Sequence, residues 1–230
     1  MKSPGDEHWD WTAEHVLHAL DVMARGGLAL FRCNVGYALA GTTVAAVDRI
    51  YELKGRPRTK PCVTLGNRAT MEEISSVWTE HAPLIRQLER ASSVGFITPL
   101  RRDADIFDSV DPELLRMCTK SGTIAIFLRM GLFIDALTAE AWRRGMLVVA
   151  SSANTSGTGN CVRYNDVPDS ITANVDVSLD GGEIYWTGPR LGSTVVDLND
   201  LTVMRSAANS NEIESRLAAY RIAQLQRGGS

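Results

Sequence analysis

The chain has 230 residues, of which 44% are hydrophobic and 22% are charged, and its formal net charge is −3. This composition is ordinary for a globular protein, and the length fits one α/β domain. The negative net charge argues against a general nucleic-acid binder, because such binding depends on Lys and Arg side chains that neutralise phosphates. We therefore do not expect direct binding to nucleic acid.

The cysteine positions and the N-terminus bear on the compartment. Four cysteines, at positions 33, 62, 118 and 161, lie far apart with no C-x-x-C pair, which indicates neither a zinc site nor a disulfide framework. No apolar run is long enough to span a bilayer, and residues 1–10 form a polar extension unlike a signal peptide. We expect reduced, buried thiols in a cytoplasmic protein without membrane contact.

Hydrophobic periodicity predicts alternating helices and strands along the chain. A helix over residues 10–25 precedes a strand at 28–31, a glycine-bearing turn at 33–41 and a second helix that ends at Lys54. Later helices are predicted at 70–77 (from a capping box at Thr70), 82–91, 112–117, 135–143 and 210–227. Later strands are predicted at 62–65, 122–128, 146–150, 173–179, 193–198 and 201–205. This alternation indicates an α/β fold, and whether residues 101–121 form a lid stays open.

The most distinctive stretch is residues 51–61, in which Lys54, Arg56, Arg58 and Lys60 occupy alternate positions. A proline disfavours helical geometry in the residue before it, so Arg56 and Lys60 are biased towards extended backbone. Side chains at period two on an extended segment share a face, so the run could direct several charges at a polyanion such as a nucleotide triphosphate. A polyproline twist would spread the charges, and a solvated basic helix exit is the other interpretation.

Small polar side chains follow the predicted strand at 146–150, in the sequence Ser151-Ser-Ala-Asn154-Thr-Ser-Gly157. Such a run could bind phosphate oxygens through hydroxyl, amide and backbone N–H donors. As an ordinary turn it would need no functional explanation.

Three separated motifs, taken in order, resemble the YrdC family. They are Lys54-Gly-Arg56-Pro with Lys60-Pro61, then Ser152-Ala-Asn154-x-Ser-Gly157, then Ser193-Thr-Val-Val-Asp197. The resemblance covers residues 14–208. It implies one YrdC-like domain over residues 1–230, with a C-terminal helix at 209–230 and no additional C-terminal domain. The implied fold is a twisted mixed β-sheet flanked by helices, with a concave nucleotide-binding face.

The best-known members of this family are threonylcarbamoyl-AMP synthases, which join L-threonine, bicarbonate and ATP and so supply a tRNA modification. The resemblance places the family's catalytic tetrad on Lys54, Arg56, Ser152 and Asn154. The implied nucleotide-binding residues are Lys60, Ser151, Ser193 and Arg205. It implies Mg²⁺ carried on the phosphates, with no metal ligand from protein side chains. The implied partners are ATP, bicarbonate, an amino acid or amine, and a downstream carbamoyl-transferase.

The implied amino-acid pocket departs from the family pattern. The family has Pro-Thr-(Asp/Glu)-Thr-x-Tyr-Gly-Leu after its first strand, whereas residues 32–39 are Arg-Cys-Asn-Val-Gly-Tyr-Ala-Leu. The pocket residues would be Cys33, Asn34, Val35 and Tyr37. A thiol is a weak hydrogen-bonding group and a valine side chain forms no hydrogen bond, so the two threonine hydroxyls lack good replacements. We expect weak or absent preference for threonine over amines without a hydroxyl.

Three further family motifs are altered. Arg205 is followed by Ser-Ala, where the family has Pro-Gly. The Arg-x-Pro after the central strand is here Phe127-Leu-Arg129-Met130, so that arginine is missing or shifted, and the Ser-Pro-Thr segment is absent from Thr158–Val162. Residues 36–40 also resemble the YrdC-like domain of hydrogenase-maturation carbamoyltransferases, which make carbamoyl-AMP.

Two classes of function stay open. The first is an ATP-dependent enzyme that makes threonylcarbamoyl-AMP, carbamoyl-AMP or another N-carboxy-adenylate. The second is a non-catalytic RNA- or ribosome-binding module. The sequence lacks a catalytic triad, which favours the enzyme, because adenylate formation without a covalent nucleophile needs positioning and charge neutralisation.

Overall fold

The computed structural model describes residues 9–91, 93–155, 157–184 and 192–228. Residues 1–8 of the predicted polar extension, Ser156 of the Ser-Ala-Asn motif and the last two residues of the C-terminal segment lie outside these ranges. The described residues contain one mixed sheet in the order β10-β9-β4-β6-β3-β7-β2-β1-β8, with β5 paired to β6. Its strands are β1 Ala29–Cys33, β2 Gly36–Gly41, β3 Val63–Leu65, β4 Val94–Pro99, β5 Thr119–Lys120, β6 Thr123–Leu128, β7 Val148–Ser152, β8 Val177–Leu179, β9 Thr194–Asp197 and β10 Thr202–Arg205.

Helices flank the sheet, which confirms the predicted α/β class. They are α1 Ala13–Ala24, α2 Val44–Lys54, α3 Arg68–Ile74, α4 Trp78–Ala91, α5 Pro112–Cys118, α6 Leu132–Arg143, α7 Asp169–Thr172 and α8 Ser210–Gly228. In the described ranges, none of these helices is long and apolar enough to cross a membrane.

Two hydrophobic cores separate the helices into two groups. The larger core joins α2, α4, α5 and α8 to alternate strand residues such as Leu39 and Val149. The smaller core joins α1 and α6 to the intervening residues, such as Ala38 and Ala150. Successive side chains of a strand point to opposite faces, so each central strand contributes to both cores. The apolar character of both faces is why these strands read as continuous apolar runs.

The predicted turn at 33–41 is wrong for most of its length. Only Asn34 and Val35 form a turn, and Gly36–Gly41 is a fully buried strand between β1 and β7. A strand that is buried on both faces shows no alternation of polar and apolar residues, so its small residues resembled a loop. The glycine at position 41 allows α2 to pack closely against β2, because a Cβ there would lie 2.4 Å from the Cβ of Ala46.

Other boundaries differ from prediction as well, and strand β4 was not predicted. Helix α3 begins at Arg68, because Asn67 caps it by accepting a hydrogen bond from the Thr70 amide at 3.1 Å. The predicted strand at 173–179 is limited to β8, since the short helix α7 and its C-terminal turn occupy the preceding residues. Strand β7 extends to Ser152, so Ser151 and Ser152 belong to the strand and not to the loop after it.

Gly95 gives a test of the packing between β4 and β6. It pairs with Phe127, and a Cβ at residue 95 would lie 2.7 Å from the Phe127 ring. We expect Gly95→Ala to lower the free energy of unfolding by about 1–3 kcal/mol, because the ring has to move. In a Phe127→Ala background the same change should cost much less, as measured by urea denaturation of the four proteins. Equal costs in both backgrounds would contradict the proposed steric conflict.

Candidate active site

The candidate site begins at the C-terminal end of α2. Thr43 caps the start of this helix by accepting from the Ala46 amide, and Gly55 ends it in the left-handed conformation at φ 55°, as predicted. Lys54, the last helical residue, is buried and only 3% exposed. Its position therefore follows from the packing of α2 and not from the charge pattern after it.

The Lys54 ammonium group connects α2 to the end of β7. Its Nζ donates to the backbone carbonyl of Ser152 and, at 2.6 Å, to that of Asn154. The same atom lies 3.5 Å from the Ser152 hydroxyl and 3.3 Å from the Asn154 amide oxygen. Three members of the predicted tetrad, 98 and 100 positions apart in sequence, are thus in direct contact.

Burial, and to a smaller extent the nearby positive charge of Arg56, lowers the pKa of Lys54 to about 8. Desolvation disfavours the ammonium form, whereas hydrogen bonds to carbonyl oxygens favour it. Below this pH, Lys54 carries a positive charge directly behind the Ser152 hydroxyl.

Arg56 lies in the turn after α2. Its Nε donates to the Lys60 carbonyl at 3.2 Å, and its Nη2 donates to the Pro61 carbonyl at 2.8 Å. These two bonds fix the guanidinium, which lines a cleft beside the end of β7. Within the described part of the chain Nη1 has no hydrogen bond, so its two donors are available to a ligand.

The interpretation that the basic run directs several charges at one place does not hold for Arg58 and Lys60, which fit the alternative of a solvated basic helix exit. Arg58 forms an exposed ion pair with Asp48, and its guanidinium lies 5.5 Å from the centre of the Tyr51 ring. Lys60 is exposed and does not line the cleft. The physical reason is that the chain leaves a helix at Gly55 and then turns, with the Lys60 amide bonded to the Pro57 carbonyl, so no extended segment forms.

The cleft has a volume of about 140 Å³. Its lining includes eight of the twelve sequence-predicted site residues: Cys33, Val35, Tyr37, Arg56, Ser151, Ser152, Ser193 and Arg205. Lys54 and Asn154 lie behind this lining, in contact with Ser152. This volume is below the 300–1,000 Å³ of a typical ligand pocket, so it fits the reacting groups of a substrate and not an entire nucleotide.

Asn34, a predicted pocket residue, does not line the cleft either. Its Nδ2 donates to the Ser93 hydroxyl at 3.4 Å and to the Arg129 carbonyl at 3.2 Å. These bonds tie the β1–β2 turn to the segment after β6. The position of Asn34 is thus structural, and the expected contact with a substrate is not supported by its placement.

Arg205, the last residue of β10, also lines the cleft, although it is far from Arg56 in sequence. Its Nε and Nη2 donate to the Ser193 carbonyl at 3.1 and 2.7 Å. Its guanidinium lies 5.8 Å from the centre of the Phe127 ring, and burial lowers its pKa from the usual value. The Ser193 hydroxyl donates to the Met130 sulfur at 3.5 Å, so the backbone of Ser193, and not its side chain, positions Arg205.

Tyr37 connects the cleft wall to the loop after β8. Its hydroxyl lies 2.6 Å from Asp180 Oδ1 and 2.9 Å from the Gly182 carbonyl, and it donates to these acceptors. Burial, together with the Asp180 carboxylate, raises the pKa of Tyr37 above its ordinary value. The hydroxyl is therefore a neutral donor that holds the loop against β2.

Cys33 is a neutral, buried thiol. Burial raises its pKa to about 12, partly offset by the positive charge of Arg32. Only the thiolate is a strong nucleophile, so Cys33 contributes packing to the cleft wall and no covalent chemistry.

Sequence reasoning missed Asn160 and Phe127. The Asn160 side chain donates to the Val35 carbonyl at 2.9 Å. It also fills the space beside Gly36, because a Cβ added at residue 36 would lie 2.8 Å from the Cβ of Asn160. Both residues line the cleft. The signal for them was present, because each lies within a segment that departs from the family pattern.

The chain was compared with known families and structures. A family model named for Sua5, YciO and YrdC, with the description telomere recombination, matches residues 21–207, which is most of the chain. The chain belongs to the Sua5/YciO/YrdC family. A comparison with curated proteins gives no match.

Solved structures share the fold. A hypothetical protein from Streptococcus mutans has a TM-score of 0.74 at 20% identity, over 92% of this chain and 93% of the other. P. abyssi Sua5, complexed with L-threonine, has a TM-score of 0.67 at 22% identity, over 85% of this chain and 55% of the other. Full-length HypF in its phosphate- and nucleotide-bound form has a TM-score of 0.57 at 16% identity, over 79% of this chain and 27% of the other. The chain therefore matches about half of the Sua5 protein.

The low pKa of Lys54 predicts a pH-dependent contribution to stability. The folded protein loses this proton near pH 8, whereas the unfolded chain keeps it until about pH 10.5. Between these values the unfolded state binds more protons, so the contribution of Lys54 to the free energy of unfolding rises with pH. We expect wild type to gain stability relative to Lys54→Met over this range, in urea denaturation at several pH values. Titrations of groups that do not interact with Lys54 occur in both proteins and cancel, so parallel pH profiles would contradict the shifted pKa.

Proposed function

We propose that this protein is an ATP-dependent synthase that forms a carbamoyl-type adenylate from an amino acid or amine, bicarbonate and ATP, with release of pyrophosphate. The observation that carries the proposal is the grouping of Arg56, Arg205 and the Lys54–Ser152 pair at one cleft. Two guanidinium groups and a buried ammonium at one place suit an anion with several oxygens. Membership of the family supports the same reaction.

The proposed chemistry requires no covalent enzyme intermediate. The amine nitrogen bonds to the carbon of bicarbonate and a C–O bond breaks, so that a carbamate forms and water leaves. A carbamate oxygen then attacks the α-phosphate of ATP. The bond from the α-phosphorus to the bridging oxygen breaks, and pyrophosphate leaves with that electron pair. Arg56 would contact the phosphate oxygens through Nη1, because Nε and Nη2 already bond to backbone carbonyls. Positioning and charge neutralisation then supply most of the rate enhancement.

Mg²⁺ is part of the proposal as an ion carried by the phosphates. Within the described ranges, no group of three or more His, Cys, Asp or Glu side chains could hold a metal ion. The cleft instead offers cations and hydroxyls, which fit phosphate oxygens. Bound Mg²⁺ would neutralise charge on the leaving pyrophosphate.

The product would pass to a second protein. A carbamoyl-type adenylate is an activated acyl group, so we propose a downstream carbamoyl-transferase as the consumer. Sua5 is described in complex with L-threonine and HypF in a nucleotide-bound form, which supports amino-acid and nucleotide substrates here. Whether the product serves tRNA modification, as with threonylcarbamoyl-AMP, or specialised metabolism depends on the acceptor amine.

Arg56→Ala tests the site. We expect this change to lower the rate of pyrophosphate release by about 10²–10³, the usual cost of one preorganised contact to developing charge. The matched control is Arg58→Ala, because Arg58 is three-fifths exposed and pairs with Asp48 outside the cleft. Equal rates for Arg56→Ala and wild type would place the reaction elsewhere.

Dependence on bicarbonate separates this reaction from simpler adenylations. With ATP, Mg²⁺ and a panel of amino acids, we expect pyrophosphate release only when bicarbonate or CO₂ is supplied, because the carbamate is the nucleophile. Mass spectrometry of the product should show one carboxyl carbon from ¹³C-bicarbonate. Release that continues in bicarbonate-free buffer would indicate direct adenylation of a carboxylate.

A further inference from the structure

The floor of the cleft is apolar across adjacent strands. Leu65 of β3, Phe127 of β6 and Ala150 of β7 line it, and all three belong to the smaller core that includes α1 and α6. Val63 lies beside them, on the same face of β3 as Leu65. Apolar side chains from three neighbouring strands thus form one continuous surface.

The wall next to this floor is apolar as well. Cys33 and Val35 lie at the β1–β2 turn, and Met130 follows β6. Burial keeps the Cys33 thiol neutral. Val35 is held in place because its carbonyl accepts from Asn160. Its own side chain forms no hydrogen bond with any ligand.

Phe127 begins the segment that corresponds to the family's Arg-x-Pro, in which the arginine is missing or shifted. Gly95 makes room for its ring, and Arg205 lies over the ring. Arg129, two residues later, has φ 59°, lies 3.8 Å from Asp135 in an ion pair and does not line the cleft. The floor therefore gains an aromatic surface without a compensating cation from this strand.

Most polar side chains around the cleft already have partners within the protein. The Tyr37 hydroxyl bonds to the loop after β8, and the Ser193 hydroxyl bonds to Met130. The Asn160 amide group bonds to Val35, and the Ser152 hydroxyl lies beside the Lys54 ammonium. A substrate hydroxyl that entered the floor would lose its water and meet carbon and sulfur atoms.

We infer that the acceptor in this reaction is an α-amino acid with an aliphatic side chain and no hydroxyl, with that side chain against Phe127, Val35 and Cys33. The inference rests on the proposed synthase function and specifies its substrate class. The anionic groups of both substrates lie towards Arg56 and Arg205, and the aliphatic part lies on the apolar floor. Burying a hydroxyl without a partner is unfavourable by enough to reduce turnover about tenfold.

Two isosteric pairs of amino acids provide the test. Valine has a methyl group where threonine has a hydroxyl, and 2-aminobutyrate has a methyl group where serine has a hydroxyl. With ATP, Mg²⁺ and bicarbonate, we expect kcat/KM for pyrophosphate release to be about tenfold or more higher for the aliphatic member of each pair. A preference for threonine and serine would overturn the inference and leave the synthase function intact. No release with any amino acid or amine would instead contradict the proposed function.

Val35→Thr adds a hydroxyl at the wall in an isosteric side chain. We expect this variant to shift the valine-to-threonine ratio of kcat/KM towards threonine by about tenfold, because the substrate hydroxyl gains a partner. Val175→Thr, in the part-exposed turn before β8, is the matched control and should leave the ratio unchanged. An unchanged ratio in Val35→Thr would overturn the placement of the side chain at this wall.

The adenine ring of ATP is the competing occupant of an apolar floor. Phe127→Leu distinguishes the two, since it keeps the floor apolar and reduces its area. We expect a raised KM for valine with little change in the KM for ATP. A raised KM for ATP alone would place the base on the floor and overturn the inference. Thermal unfolding of Phe127→Leu confirms that the variant is folded at the assay temperature.

Discussion

The site depends on one buried ammonium group. Lys54 reaches from the end of α2 to two backbone carbonyls at the end of β7, and these segments belong to different parts of the sequence. A buried charge without partners is costly, so the carbonyls of Ser152 and Asn154 have to converge on it. That convergence determines where the Ser152 hydroxyl lies and places a positive charge behind it. Arg56 follows two residues later, so the same helix end also positions the guanidinium.

The cleft divides into a charged side and an apolar side for reasons of topology. Arg56 and Arg205 enter from loops and strand ends, where the backbone carbonyls of Pro61 and Ser193 fix their guanidinium groups. The floor consists of strand residues that continue the smaller core. Because the cations lie on one side and the apolar strand residues on the other, a substrate with an anionic end and an aliphatic end has one favourable orientation. This feature would connect the proposed adenylate chemistry to a choice of acceptor.

Departures from the family pattern include residues that line the apolar side. Cys33 and Val35 stand where hydroxyls are expected, and Phe127 lies in the segment whose family arginine is missing or shifted, whereas Lys54, Arg56, Ser152 and Asn154 match the tetrad. Identities of 15–22% to the solved relatives show that the fold tolerates extensive change. Within that change, retention of the charged side with replacement of the apolar side is consistent with conserved nucleotide chemistry and a different acceptor.

The sequence by itself determined the α/β class, the end of α2 at Gly55 and the family, because these depend on periodicity, a left-handed glycine and motif order. It did not reveal β2, since a strand buried on both faces has no alternating pattern. The charge spacing alone could not separate Arg56 from Arg58 and Lys60, which occupy the same pattern of alternate positions, although the family motif singled out Arg56. Only the tertiary structure decided that Arg58 faces Asp48 and that Lys54 faces Ser152, because both contacts depend on how α2 packs against the sheet.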